Sequence, residues 1–104
     1  MGQSCELMAK TWQIPRADQD QLAYESHRKA ATAYDEGFFD DLLVEFRGLK
    51  RDNNVRRDTS LEKLAALKPS FDRQGTLTAG NSTPMTDGAA AVLLASEEWA
   101  KSRG

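Results

Sequence analysis

Between Gly88 and Ser96 the chain reads AAAVLLA, a run with no polar side chain. Alanine favours helix on intrinsic propensity, yet an unbroken apolar run bounded by turn residues fits a central strand of an α/β sheet equally well. A central strand needs neighbours on both edges, and the rest of the sequence offers few. One short strand is predicted at 42–46, within FFDDLLVEF, and another near Leu77. Two or three unconnected strands cannot make a self-sufficient sheet. The sequence therefore predicts an α/β segment, mostly helical with few short strands and an incomplete sheet, whose partner strands lie outside the chain.

The helical part is easier to read. Leu7, Met8 and Trp12 fall at helical spacing and predict a short amphipathic helix over 3–13. Pro15, with Asp18 and Asp20 in the opening turn, suits a second helix start, since proline loses nothing there and acids favour the positive end of the dipole. Leu22, Ala23, Ser26, Ala30, Ala33 and Tyr34 give that helix its small or apolar stripe, and Gly37 is its natural left-handed terminator. Residues 47–58, RGLKRDNNVRRD, are polar and unperiodic and read as a surface loop. Thr59 and Glu62 have the spacing of a capping box before Leu61, Leu64 and Leu67, and Pro69 stops that turn. A last charged helix spans about 97–103 and carries Trp99.

With 104 residues there is room for one small domain or a piece of a larger one. Hydrophobic residues make up 39% and charged residues 29%, the balance of a soluble chain. Fourteen basic residues against 16 acidic ones leave a net charge of -2, so no global field favours a nucleic-acid partner. No apolar run approaches the ~20 residues a membrane helix needs. The single cysteine, Cys5, excludes an internal disulfide and fits a reducing, cytoplasmic compartment. The first ten residues lack the basic start and apolar core of a secretory signal.

Each candidate for chemistry has a plainer reading beside it. Cys5 stands next to Glu6, whose carboxylate suppresses a thiolate, so a packing role is expected. His27 is the sole histidine, has no second ligand type at metal spacing, and reads as a surface or boundary residue. Asp40–Asp41 and the pair Asp18/Asp20 read as solvated or capping acids. The basic cluster Arg47, Lys50, Arg51, Arg56 and Arg57 could clamp phosphates by two-pronged pairing, although Asp52 and Asp58 dilute it. The sharpest hint is TLTAGNSTPMTDG, 76–88, where Ala79, Gly80, Ser82 and Thr83 would let a thin ligand approach the backbone. An ordinary Asn/Pro/Gly turn explains the same residues, and both readings stay open on pattern alone.

The block TLTAGNSTPMTDGAAAVLLASEEWA resembles the thiolase signature, in which Thr-Ala-Gly-Asn-x-(Ser/Thr) runs into Asp-Gly-Ala-Ala-Ala. Met1-Gly2, Arg16 through Gln19-Asp20, the Ala-rich helix to Gly37, Phe46 and the segment from Ser60 to Asp72 resemble thiolases of the fatty-acid-oxidation type in register. The resemblance covers essentially the whole chain and about the middle quarter of a typical thiolase. It implies that 1–86 is the second half of the loop domain that lies over coenzyme A. It also implies that 87–104 is a strand and helix rejoining the N-terminal core, which decides 89–95 in favour of strand.

Carried over by position, Thr83 corresponds to the hydroxyl that bonds the pantetheine arm, with Ala79 and Phe71 as walls of its tunnel. Arg56 corresponds to the arginine beside the adenine and phosphates, and Lys63 occupies a position near the adenine that is serine in some relatives. The resemblance thus implies coenzyme A or acyl-CoA as ligand, no metal, and an acyltransferase of fatty acid metabolism. Its partners are the remainder of the thiolase chain and, for the intact enzyme, a homodimeric or tetrameric assembly. Neither Cys5 nor His27 matches a thiolase catalytic motif, so no catalytic residue is expected here and the chain alone is expected to be inactive. The alternative is a free-standing, non-catalytic helical interaction or CoA-binding module derived from such a segment.

Overall fold

The computed structural model describes all residues from 1 to 104. Four helices carry the regular structure: α1 over Gly2–Thr11, α2 over Arg16–Asp35, α3 over Leu61–Ala65 and α4 over Glu97–Arg103. No strand forms, and the one β-type contact is an isolated antiparallel bridge between Phe46 and Leu49. The α/β segment with an incomplete sheet is thus realised as helices and loops with no sheet at all.

The helix starts and stops follow local chemistry. Pro15 adopts an extended conformation as the N-cap of α2, and Asp18 lies in its first turn. Just past the helix Gly37 takes a φ of +73°, the left-handed geometry that lets the amide of Phe38 fold back onto the Ala33 carbonyl at 2.9 Å. At α3 the cap sits one residue later than the spacing suggests: the Ser60 hydroxyl, not Thr59, accepts from the Lys63 amide at 3.2 Å. Ser96 does the same for the Trp99 amide at the start of α4.

Three strand expectations fail for one reason. At 42–46 the chain turns instead, with the amides of Leu42 and Leu43 both donating to the Phe39 carbonyl at 3.0 Å. Phe39 stacks on Tyr34 at 4.7 Å and on Phe38 at 5.2 Å, which keeps this segment folded against the end of α2. Leu77 lies in no strand: its one backbone–backbone bond is through its carbonyl, which accepts from the Ser70 amide at 2.8 Å, while its amide goes to the Glu6 carboxylate. Residues 89–95 have no regular structure, and Val92, Leu93 and Leu94 are all more than 80% exposed. A strand exists only through ladder partners, and none of these segments has one here.

Only six residues are buried: Ala9, Leu64 and Leu77 among the apolar ones, and Glu6, Asp20 and Thr78 among the polar. The centre of the molecule is therefore a polar junction where α1, α2, α3 and the loop 70–82 meet, with α3 packed on α2. The radius of gyration of 18.9 Å far exceeds the ~13 Å of a compact chain this long. Much of the sequence lies extended along a molecule 59 Å in its longest dimension.

Candidate coenzyme site

The 76–83 loop is held from three sides. Glu6, on α1, points its carboxylate at the loop and accepts from the Leu77 amide at 2.8 Å and from the Thr76 amide at 3.0 Å. Gln19, on α2, donates to the Thr76 hydroxyl at 2.9 Å. Asp20, one residue on, accepts from the Asn81 side-chain amide at 2.9 Å and from the Arg16 guanidinium at 2.7 Å. The same guanidinium donates to the Leu64 carbonyl at 2.6 Å and the Leu67 carbonyl at 3.3 Å, so it ties the end of α3 to the start of α2.

Within the loop the residues Thr78, Gly80 and Asn81 serve the backbone. Asn81 accepts from the Thr78 amide at 2.7 Å and donates to the Thr76 carbonyl at 3.1 Å, which closes a tight turn. Thr78 is fully buried, and its hydroxyl accepts from the Gly80 amide at 3.2 Å. Gly80 packs closely on the α3 end of the junction: a Cβ there would sit 2.6 Å from terminal methyls of Leu64 and Leu67. On its other side Gly80 joins Ala79, Ser82 and Thr83 along the outer surface of the loop.

That outer side forms a groove of about 610 Å³. Arg56, Phe71, Ala79 and Thr83 all line it, with Thr78, Ser82 and Pro84 along the loop and His27 and Asn54 toward the arginine. Four of the five residues singled out from the sequence are thus gathered on one surface although they span 56–83. Lys63 is not. Its ammonium is held by Asp58, at 2.5 Å from the carbonyl and 3.0 Å from the carboxylate.

The electrostatics of the basic loop single out one cation. Arg57 forks onto Asp35 at 2.8 and 2.9 Å, which holds the Asp35 carboxyl below its usual range. Lys50 reaches Glu45, Arg51 lies 5.0 Å from the Tyr34 ring centre, and Arg47 covers Phe46. Arg56 alone of the five makes no ion pair, side-chain hydrogen bond or ring contact, and it borders the groove. The groove thus brings together a guanidinium without an ion-pair partner, several hydroxyls and an aromatic ring, groups that can meet an anion, an amide and an apolar chain respectively. Cys5 is exposed on α1 and is not among the groove residues.

Sequence reasoning passed over the groove's supports. Glu6 and Asp20 were read as a neighbour of Cys5 and a first-turn acid, yet both are buried junction groups. Their signal was available only as positions: Gly2, Glu6 and Ala9 share one face of α1, and Arg16 and Asp20 are one turn apart on α2.

The chain is an open helix-and-loop scaffold with a groove bordered mostly by polar residues. The family comparison agrees: the model of the thiolase N-terminal domain matches residues 1–98, and the chain belongs to the thiolase family. The match corrects the placement by resemblance in the second half of a loop domain: the chain is the N-terminal part of a thiolase. The 3-ketoacyl-CoA thiolase of Pectobacterium carotovorum is 50% identical over 111 residues, covering 100% of this chain and 25% of that protein. The 3-ketoacyl-CoA thiolase of Vibrio cholerae is also 50% identical, with 26% of its length covered. The chain therefore spans about a quarter of the length of the relatives it matches.

Solved structures agree on the fold. The crystal structure of the Bacillus anthracis acetyl-CoA acetyltransferase matches with a TM-score of 0.84 and 38% identity, over 99% of this chain and 28% of that one. The Syntrophomonas wolfei acetyl-CoA acetyltransferase matches at 0.68 and 37%, over 76% and 21%. No helix of the chain is long and apolar enough to cross a membrane.

Proposed function

We propose that this chain supplies the coenzyme A-binding surface of a cytoplasmic thiolase-type acyltransferase. Arg56 meets the phosphates and adenine, Phe71 and Ala79 flank the pantetheine arm, and Thr83 bonds its amides. Lys63 holds the Asp58 end of the basic loop. The reaction served is exchange of an acyl group between a cysteine thioester and coenzyme A, cleaving or forming a 3-ketoacyl-CoA. The cysteines and histidine for that chemistry belong to polypeptide outside these residues, as do the strands that pair with 89–95. Residues 1–86 cover the coenzyme and 87–104 join a shared sheet, in an enzyme assembled as a dimer or tetramer.

One observation carries this reading: Arg56, Phe71, Ala79 and Thr83, chosen from family position alone, line a single groove in a chain half identical to 3-ketoacyl-CoA thiolases. The exposed 89–95 run supports it over a free-standing module, since a self-contained protein does not leave a contiguous aliphatic segment in water. The direct test replaces the matching segment of the Pectobacterium enzyme with this chain. The chimera should cleave a 3-ketoacyl-CoA, and Arg56→Ala should raise KM for coenzyme A severalfold with kcat little changed. A well-assembled, active chimera whose KM ignores Arg56, Phe71 and Thr83 substitutions would overturn the assignment.

A further inference from the structure

The basic loop is laced to one face of α2. Its ties fall at His27, Ala31, Tyr34 and Asp35, residues on successive turns of the helix. The Tyr34 hydroxyl accepts from the Asp52 amide at 2.8 Å, Asp35 takes both prongs of Arg57, and the Ala31 carbonyl accepts from Arg57 at 3.4 Å. The tie nearest the groove is of a different kind. There Nδ1 of His27 accepts from the backbone amide of Arg56 at 3.2 Å. It fixes the main chain of the one residue in the cluster whose side chain is left unbound, and His27 itself borders the same groove. An imidazole nitrogen accepts only through its lone pair, so the contact demands a neutral ring carrying its proton on Nε2.

We infer that His27 is a positioning residue that aims the Arg56 guanidinium at the anionic end of the ligand, an inference that rests on the coenzyme A reading above. The neighbouring pairs cannot do this work. Arg57 and Asp35 fasten the loop beyond Arg56, and the Asp52 amide fastens it before. Between those anchors the Thr59 amide reaches the Arg56 carbonyl at a long 3.4 Å, leaving His27 as the only side chain that holds the Arg56 backbone. Without it the residue carrying the charge is free to swing between its two anchors, and part of the binding energy goes into ordering it.

The test is a binding titration of the Pectobacterium chimera carrying this segment with coenzyme A, repeated with pantetheine, which lacks the adenosine phosphates. Arg56→Ala should weaken coenzyme A binding and leave pantetheine unaffected. His27→Ala should weaken coenzyme A by about three- to tenfold, the size of one hydrogen bond, again sparing pantetheine. His27→Asn should restore it, because an Asn side-chain oxygen can stand where Nδ1 stands. In the ligand-free chimera the Arg56 amide should exchange faster in His27→Ala than in His27→Asn. If Arg56→Ala weakens binding while His27→Ala does not, or if His27→Asn fails to restore it, the positioning role is wrong and the coenzyme reading survives. If coenzyme A shows no saturable binding, or Arg56→Ala leaves it unchanged, the coenzyme reading fails and takes this inference with it.

Discussion

Replacing Glu6 with alanine should release the ligand-facing loop from α1. The carboxylate takes the amides of Thr76 and Leu77 and a longer bond from the Thr76 hydroxyl at 3.3 Å. Leu77 is buried, so its orphaned amide has no water to turn to, which costs about 1–3 kcal/mol. Thr76 is half-buried and recovers part of its loss by solvation, which adds about 1 kcal/mol. The sum, about 2–4 kcal/mol, is a large fraction of the ~5–15 kcal/mol that holds a domain together. Hydrogen exchange followed by NMR reads it directly: at ~1.4 kcal/mol per tenfold, protection of the Leu77 amide should fall by roughly 30- to 700-fold. Glu6→Gln should fall between, because one amide oxygen can still accept while the new NH₂ finds no acceptor. Unchanged Leu77 protection in a Glu6→Ala chain that keeps its helicity would show that the carboxylate does not hold the loop, and the account of the junction would be refuted.

Other outcomes follow from the same contacts. Gly80→Ala should destabilise by about 1–3 kcal/mol in urea unfolding, because its methyl must displace Leu64 and Leu67 packed at 2.6 Å. Arg16→Lys should lose the links to the Leu64 and Leu67 carbonyls and lower the thermal midpoint, since an ammonium cannot reproduce the fork; equal midpoints would show the fork to be dispensable. Asp35, Asp58 and Asp72 are held below their usual 3.8 by Arg57, Lys63 and Lys10 respectively. Carboxyl groups lowered in this way contribute stability that is complete above 3.8 and lost as pH falls through the lowered values, so the loop ties should loosen on acidification below about 4. All three pairs are exposed, so 1 M salt should flatten that acid transition when it is followed by the amide shifts of 52–58.

The local signals were legible and the faces were not. Proline and glycine marked both ends of α2, and α4 lies on the predicted residues, because start and stop chemistry acts over one turn and needs no partner. The four groove residues came from position within a family pattern. The α1 face came out inverted: the stripe Leu7, Met8 and Trp12 is at least 46% exposed, while Glu6 and Ala9 are buried. On α2 the predicted stripe holds in part, with Ala23, Ala30, Ala33 and Tyr34 half-buried, although Leu22 is open and Asp20 is buried. Periodicity reports which face prefers to leave water, not which neighbour is present to receive it.

The inversion itself carries the functional argument one step further. A junction built on Glu6, Asp20, Arg16 and Asn81 holds its loop by directed hydrogen bonds, which keep their geometry even where little apolar area is buried. The apolar stripe of α1, Leu22 of α2 and the run at 89–95 are then left to pack against other polypeptide. Such a division lets the 76–83 loop be shaped before other polypeptide closes around it, and it predicts which contacts survive in the isolated chain. Amides at 76–81 should stay protected where those at 89–95 exchange at the rate of an unfolded peptide. Equal protection of the two segments would mean that the junction does not form on its own, and that Arg56, Phe71, Ala79 and Thr83 come together only after the surrounding sheet has assembled.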